Sequence, residues 1–328
     1  MLAAVFREFG KPLSLEEVKE PSNGLILKVL ATGLCHGDLH LIMGDWKYDL
    51  KIETPIILGH EIIAEVIKSW GDFKEGDKVL VYNSIGCNNC KHCKIGNYQY
   101  CERVKVLGLH LNGGFAEYLQ VPTEKILLKV EGNPLELAPL ADAGITAYNS
   151  VKGIGENDNV LIVGTGAVAT IGLQILKTNR AKVTLVGKNW NRLWKAKELG
   201  ADDIIYVREN EPISSKIDPN TKFDYIIDYV GTSNSLSDLP WLLDREGELR
   251  IVGEFGGIIS IPEQLMVLRG LKIRGVLYGS FNDLKSVYEL YKKGKIKIPV
   301  TPYRLEDINT AIRSLMEGKI FGRAVIVP

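Results

Sequence analysis

Four of the five cysteines crowd into GCNNCKHCKIGNYQYC, at the spacing C-x2-C-x2-C-x7-C. Thiolates are soft ligands, and four of them at about 2.3 Å complete a tetrahedral zinc with no open position. Cys87, Cys90, Cys93 and Cys101 therefore read as a structural zinc site, a lobe over residues 86–102 that carries no chemistry. Free surface thiols are the competing reading. Disulfides would be out of place in a cytosolic chain of this size. His92 lies among the cysteines, but four sulfurs already fill the shell, so it reads as a solvated loop residue.

A second constellation is VLIVGTGAVATIGLQ: an apolar strand, a glycine-rich turn, then a helix. Gly164, Gly166 and Ala169 match a G-x-G-x-x-A dinucleotide fingerprint. The first glycine permits the tight turn, the second lets a pyrophosphate approach the backbone, and the helix N-terminus meets the phosphate charge. An ordinary glycine turn is the alternative, and the flanking strand and helix weigh against it. The next strand, KVTLVG, ends in Gly187 where an NAD-preferring site would place a carboxylate for the ribose 2′-hydroxyl. Lys188, Asn189 and Arg192 follow. Loss of the anion and gain of cations favours NADP(H) over NAD(H). The other possibility is a solvated helix start in an enzyme that takes either cofactor.

These motifs need a scaffold of two domains, and 328 residues are enough for it. Before residue 140 the chain reads as short strands punctuated by Gly and Pro, such as LILKVLATG and DKVLVYN. From Asn159 strands alternate with helices, the pattern of a doubly wound parallel sheet in an α/β fold. Two helices and a final strand, RAVIVP, close the chain. The 40 basic and 40 acidic residues balance, which gives no reason to expect nucleic acid or an anionic membrane as partner. No apolar run is long enough to cross a bilayer. The opening MLAAVFREFGKPLSLEE has no signal-peptide layout, so a cytoplasmic protein is expected.

Taken in order, TGLCHGDLH, LGHEIIAEV, the four-cysteine loop, PLADAGITAYNSV and IVGTGAVATIG resemble the zinc-containing alcohol dehydrogenases of the medium-chain dehydrogenase/reductase superfamily. The closing stretch resembles archaeal and bacterial members, and the likeness covers essentially the whole chain. It implies a GroES-like β-rich catalytic domain, residues 1–143 and 279–328, and a Rossmann domain, residues 144–278. Nicotinamide and a catalytic zinc are expected to meet in the cleft between them, giving two zinc ions per chain.

The resemblance also implies roles for single residues. Cys35, His60 and Asp142 look like the ligands of the catalytic zinc. Asp142 stands where relatives often have Cys; it keeps the formal charge balance but offers a harder oxygen. Glu61 resembles the residue behind the metal that can enter its shell, and Asp38 the carboxylate that orients the histidine ligand. Relatives usually carry Ser or Thr two residues after the first ligand, as the first link of a proton relay ending on a histidine. Here that position is Gly37, although the distal His40 is present. A water in the gap, a different substrate or slow turnover would each answer this departure. Trp46 and Asn83 are placed on the substrate side, where Asn83 offers a polar wall or, equally, a bond to a loop backbone. Arg323 matches an arginine that reaches the cofactor phosphates.

The expected activity is hydride transfer between NADP(H), or NAD(H), and an alcohol or carbonyl compound. A polyol or sugar dehydrogenase of the same superfamily is the alternative. A zinc-stapled NADP-binding protein without chemistry is a third reading, with Gly37 as its mark. A homo-oligomer, dimer or tetramer, is implied by the relatives.

Overall fold

The structure, a computed structural model, describes residues 1–46 and 52–328. Two compact units emerge: Met1–Ile145 with Tyr278–Lys292 and Lys297–Pro328, and Thr146–Leu277 with Lys293–Ile296.

The first unit opens with β1 (Leu2–Phe6), β2 (Ser14–Glu17), β3 (Leu25–Leu34), α1 (His36–Met43), β4 (Ile56–Ile57), β5 (Glu61–Val66) and β6 (Lys78–Val81). The cysteine lobe holds β7 (Ser84–Ile85), α2 (Lys91–Lys94) and β8 (Lys105–Val106). Next come β9 (Tyr118–Val121), β10 (Leu127–Lys129), α3 (Pro134–Leu137) and α4 (Ala143–Ser150). The second unit contains β11 (Asn159–Val163), α5 (Ala167–Thr178), β12 (Lys182–Gly187), α6 (Trp190–Glu198), β13 (Asp203–Tyr206) and β14 (Phe223–Asp228). It continues with α7 (Ser233–Asp238), β15 (Leu243–Ile251), α8 (Glu263–Arg269) and β16 (Lys272–Gly275). The chain returns to the first unit through α9 (Phe281–Lys292), β17 (Val300–Arg304), α10 (Ile308–Met316) and β18 (Arg323–Val327).

The main sheet of the first unit runs β10-β6-β5-β3-β18-β17, with β9 also paired to β3. Strand β3 is its axis. It starts with an alternation of buried and more exposed residues and is wholly buried from Ala31 to Leu34. The register sets Gly33 opposite Glu61 on one side and Val325 on the other, with Leu34 facing Ala324. Three sequence-distant segments are thereby brought side by side at the C-terminal end of β3.

In the second unit six parallel strands run β13-β12-β11-β14-β15-β16. Val160, Leu161 and Ile162 of β11 are fully buried, as expected for a central strand covered on both faces. The chain order reverses between β11 and β14, the switch point at which such sheets bind nucleotides. Among the described residues, no helix is long and apolar enough to cross a membrane.

Candidate active site and metal centres

Cys35 follows the last residue of β3 and stands at the N-cap of α1, with an extended backbone. Its amide donates to Asp38 Oδ2 at 3.0 Å, one turn into the helix. The other oxygen, Asp38 Oδ1, lies 3.3 Å from His60 Nδ1. That leaves His60 Nε2 turned to Asp142 Oδ2, 3.5 Å away. The donor atoms of Cys35, His60 and Asp142 all fall within 4.8 Å of one another. Burial works against a charged imidazole here, yet the carboxylates of Asp38 and Asp142 outweigh it and raise the His60 pKa well above its ordinary value. A soft sulfur, an imidazole nitrogen and a carboxylate oxygen that together demand positive charge fit a zinc ion with one position left open.

Behind this set lies Glu61, fully buried, which accepts from the Ala143 amide at 3.1 Å and from Arg323 Nη2 on the same oxygen. Burial pushes its carboxyl up to about 8; Arg323 pulls against that and Asp142 adds to it. Arg323 also comes within 3.7 Å of Cys35 Sγ and 3.6 Å of Asp142 Oδ2. The expectation set this arginine on cofactor phosphates. Here its buried guanidinium lies against Glu61, Cys35 and Asp142, because the β3–β18 register brings it level with Cys35.

Gly37 borders the same cluster. A Cβ there would lie 3.4 Å from Trp46 Cη2 and 3.7 Å from His60 Cε1, ordinary contact distances. Trp46 therefore covers Gly37 beside His60. His40 is buried, and its Nδ1 lies 3.3 Å from Asp45 Oδ2 on an exposed side chain. Asn83 is fully buried, its Oδ1 accepting from Ser84 Oγ at 2.8 Å and its Nδ2 without a partner. It is enclosed in the interior beside Ser84. Sequence reading missed Tyr278, whose ring centroid lies 6.2 Å from that of His60. Tyr278 has a positive φ of 45°, uncommon for a bulky residue, and no local pattern announces it.

The second thiol set is formed by Cys87, Cys90, Cys93 and Cys101, whose sulfurs also lie within 4.8 Å of one another. Asn88 takes a left-handed φ of 59°, which turns the chain between the first two ligands. The amides of Cys90 and Arg103 donate to Cys87 and Cys101 sulfurs, each at 3.4 Å. Backbone amides pull the Cys87 thiol down to about 5, whereas burial pushes Cys93 up to about 12. Four converging sulfurs cradled by amides fit a closed tetrahedral zinc. His92 stands outside the set, in α2, with its ring 6.2 Å from that of Tyr100.

In the second unit Gly164 leaves β11 with φ 112°, a conformation only glycine takes readily. Gly166 caps α5, and Ala169 is fully buried on that helix. Gly187 ends β12, as expected, and a Cβ on it would come within 2.6 Å of Thr165 Cγ2 in the turn. Asn189 caps α6 by accepting from the Arg192 amide at 3.1 Å, so its oxygen is committed to the helix. Lys188 lies 3.4 Å from Glu209, and Arg192 is half-buried. Beside them Trp190 stacks on Tyr206 at 5.0 Å and 8°.

Comparison with known proteins agrees with this geometry. A family described as alcohol dehydrogenase GroES-like domain matches residues 21–132, and one described as zinc-binding dehydrogenase matches residues 167–293. An NAD-dependent alcohol dehydrogenase of Sulfolobus acidocaldarius is 34% identical over 99% of both chains. A D-arabinose 1-dehydrogenase (NADP(+)) of Saccharolobus solfataricus is 33% identical over 99% of this chain and 97% of its own. The crystal structure of the alcohol dehydrogenase from the hyperthermophilic archaeon Aeropyrum pernix superposes with a TM-score of 0.93 at 31% identity, covering 100% of both chains. The chain belongs to the zinc-type alcohol dehydrogenases of the medium-chain dehydrogenase/reductase superfamily. It is an NAD(P)-dependent alcohol dehydrogenase, and the expected GroES-like and Rossmann-like domains are both present.

Proposed function

We propose that the enzyme moves hydride between NADP(H) and an alcohol or carbonyl carbon, using a zinc held by Cys35, His60 and Asp142. The observation that carries this reading is the orientation of His60 by Asp38, which aims one ring nitrogen at Asp142 and Cys35 while the other is held. Zinc, when bound, supplies Lewis acidity that polarises a carbonyl or lowers the pKa of an alcohol. The second zinc, on the four-cysteine lobe, adds folding energy alone.

His40 handles the proton. Gly37 offers no hydroxyl, so water bridges to His40, whose Nδ1 lies 3.3 Å from the exposed carboxylate of Asp45. The preference for NADP(H) rests on Gly187, which leaves no acid at the end of β12, and on Lys188 and Arg192 beside it.

A sugar or polyol is the second reading for the substrate. It is favoured by the similarity to a D-arabinose 1-dehydrogenase (NADP(+)). The assembly is a homo-oligomer. β16 ends its sheet with every residue exposed, and Val267 and Leu268 on α8 are 76% and 73% exposed; an open strand edge and exposed apolar side chains both suit a second copy. A panel of alcohols, aldehydes and aldoses with both cofactors, followed by absorbance of the reduced nicotinamide, tests the reading. Faster turnover with NAD(H) across the panel would overturn the cofactor choice.

A further inference from the structure

Gly33 lies within β3, and its φ is outside the left-handed range, so the backbone does not require glycine there. Space does. A Cβ on Gly33 would fall on Glu61 Oε2 and lie 2.8 Å from its Cδ and 3.0 Å from its Cβ. The three strands explain why. Glu61 on β5 faces Gly33 on β3, and β18 lies on the other side of β3. The Glu61 side chain crosses the bare backbone of the middle strand to meet Arg323 on the far strand. Both side chains are buried, with Glu61 Oε2 and Arg323 Nε left without partners.

We infer that Gly33 is a positioning residue of the catalytic metal site: its missing side chain is the passage through which Glu61 neutralises Arg323 behind Cys35 and Asp142. The inference rests on the proposed catalytic zinc. Without Glu61, the buried guanidinium keeps its charge 3.7 Å from Cys35 Sγ and 3.6 Å from Asp142 Oδ2. It would then compete with the metal for two of its three protein ligands. A buried cation without its counter-charge is among the costlier arrangements in a protein interior.

The test is zinc release from the purified holoenzyme to a chromogenic chelator, with total zinc per chain measured beforehand. Outer partners of metal ligands typically change metal affinity about 10–100-fold. Gly33→Ala should therefore speed loss of the catalytic zinc by about tenfold or more, with the structural zinc unaffected. Glu61→Gln, which keeps the shape and removes the charge, should do the same. The double variant should be no faster than the quicker single one, because both changes act on one interaction. Unchanged or slower release from Gly33→Ala, or effects that multiply, would overturn the inference. If Gly33→Ala does not fold, Gly33→Ala/Glu61→Ala/Arg323→Met should, because the obstructing carboxylate and the charge it neutralised are both gone; failure of that triple variant to fold also overturns it. Cys35→Ala separates the two levels. If it leaves zinc content unchanged, the catalytic-zinc reading itself fails. If it removes one zinc while the Gly33 variants match wild type, only this inference does.

Discussion

Asp38 stands between two of the proposed metal ligands, one oxygen 3.3 Å from His60 Nδ1 and the other accepting from the Cys35 amide at 3.0 Å. One carboxylate thus holds one ring nitrogen of the imidazole and the backbone that carries the thiol. Asp38→Asn keeps the shape but cannot hold the His60 proton as an anion does. Catalytic zinc should bind about 10–100-fold more weakly in this variant. Competition with a chelator of known affinity reads the change directly, and wild-type affinity would show that Asp38 is not the orienting group.

Metal content separates the two proposed sites. Wild-type enzyme should carry two zinc ions per chain, one for each ligand set. Cys35→Ala should lose one, abolish activity and keep the fold. Cys93→Ala should lower the melting temperature by about 10 °C or more, since a structural zinc contributes folding energy outright. Elemental analysis and thermal scans on the same preparations decide the assignment. A Cys93 variant that melts like wild type would contradict the structural role.

The two motifs legible from sequence are those whose residues are neighbours in the chain. Cys87, Cys90, Cys93 and Cys101 must share a loop because so few residues separate them, and Gly164, Gly166 and Ala169 announce a strand, a turn and a helix by local conformation alone. Arg323 and Glu61 show the opposite case. They are 262 positions apart, and their meeting depends on β5, β3 and β18 lying side by side in one register. No periodicity encodes that, nor the crossing over Gly33. Asn83 shows the same dependence: residue type leaves a polar wall and a loop contact equally open, and its full enclosure beside Ser84 depends on what packs around it. Tyr278 left no trace in the sequence, because its left-handed backbone belongs to a tyrosine and not to a glycine.

Cofactor choice should follow the charges after β12. Lys188→Ala and Arg192→Ala should each weaken NADPH and leave NADH nearly unchanged. A charge-assisted bond to phosphate is worth about 1.5–3 kcal/mol, so about 10–150-fold per contact is expected. Lys188 faces Glu209 across 3.4 Å, which places its effect at the lower end. Gly187→Asp is the direct route to NAD(H), but its Cβ would press on the Thr165 methyl at 2.6 Å. Pairing it with Thr165→Ser removes that methyl. The pair should prefer NADH in fluorescence titrations; retained NADPH preference would mean that the 2′-phosphate is read elsewhere.

The relay prediction turns on the room around Gly37. A Cβ there meets Trp46 and His60 only at 3.4 Å and beyond, so the β-carbon of a serine can be added without moving either. On the proposed relay the proton crosses water to His40, and an ordered water costs about 0–2 kcal/mol relative to a direct bond. Gly37→Ser should therefore raise turnover on simple alcohols by up to about thirtyfold, with zinc content unchanged. His40→Ala should slow turnover, and added imidazole should restore part of the loss, because an external base can take over the proton. His40 lies against Asp45, so Asp45→Asn should slow turnover in the same direction but less. The comparison is made by steady-state kinetics on one monohydric alcohol and one polyol. If Gly37→Ser gains nothing and His40→Ala loses nothing on either, the proton leaves by another group, and Glu61 is the next candidate. If Gly37→Ser helps the monohydric alcohol alone, the polyol's own second hydroxyl fills the place that Gly37 leaves open, and the sugar or polyol reading of the substrate gains its first functional support.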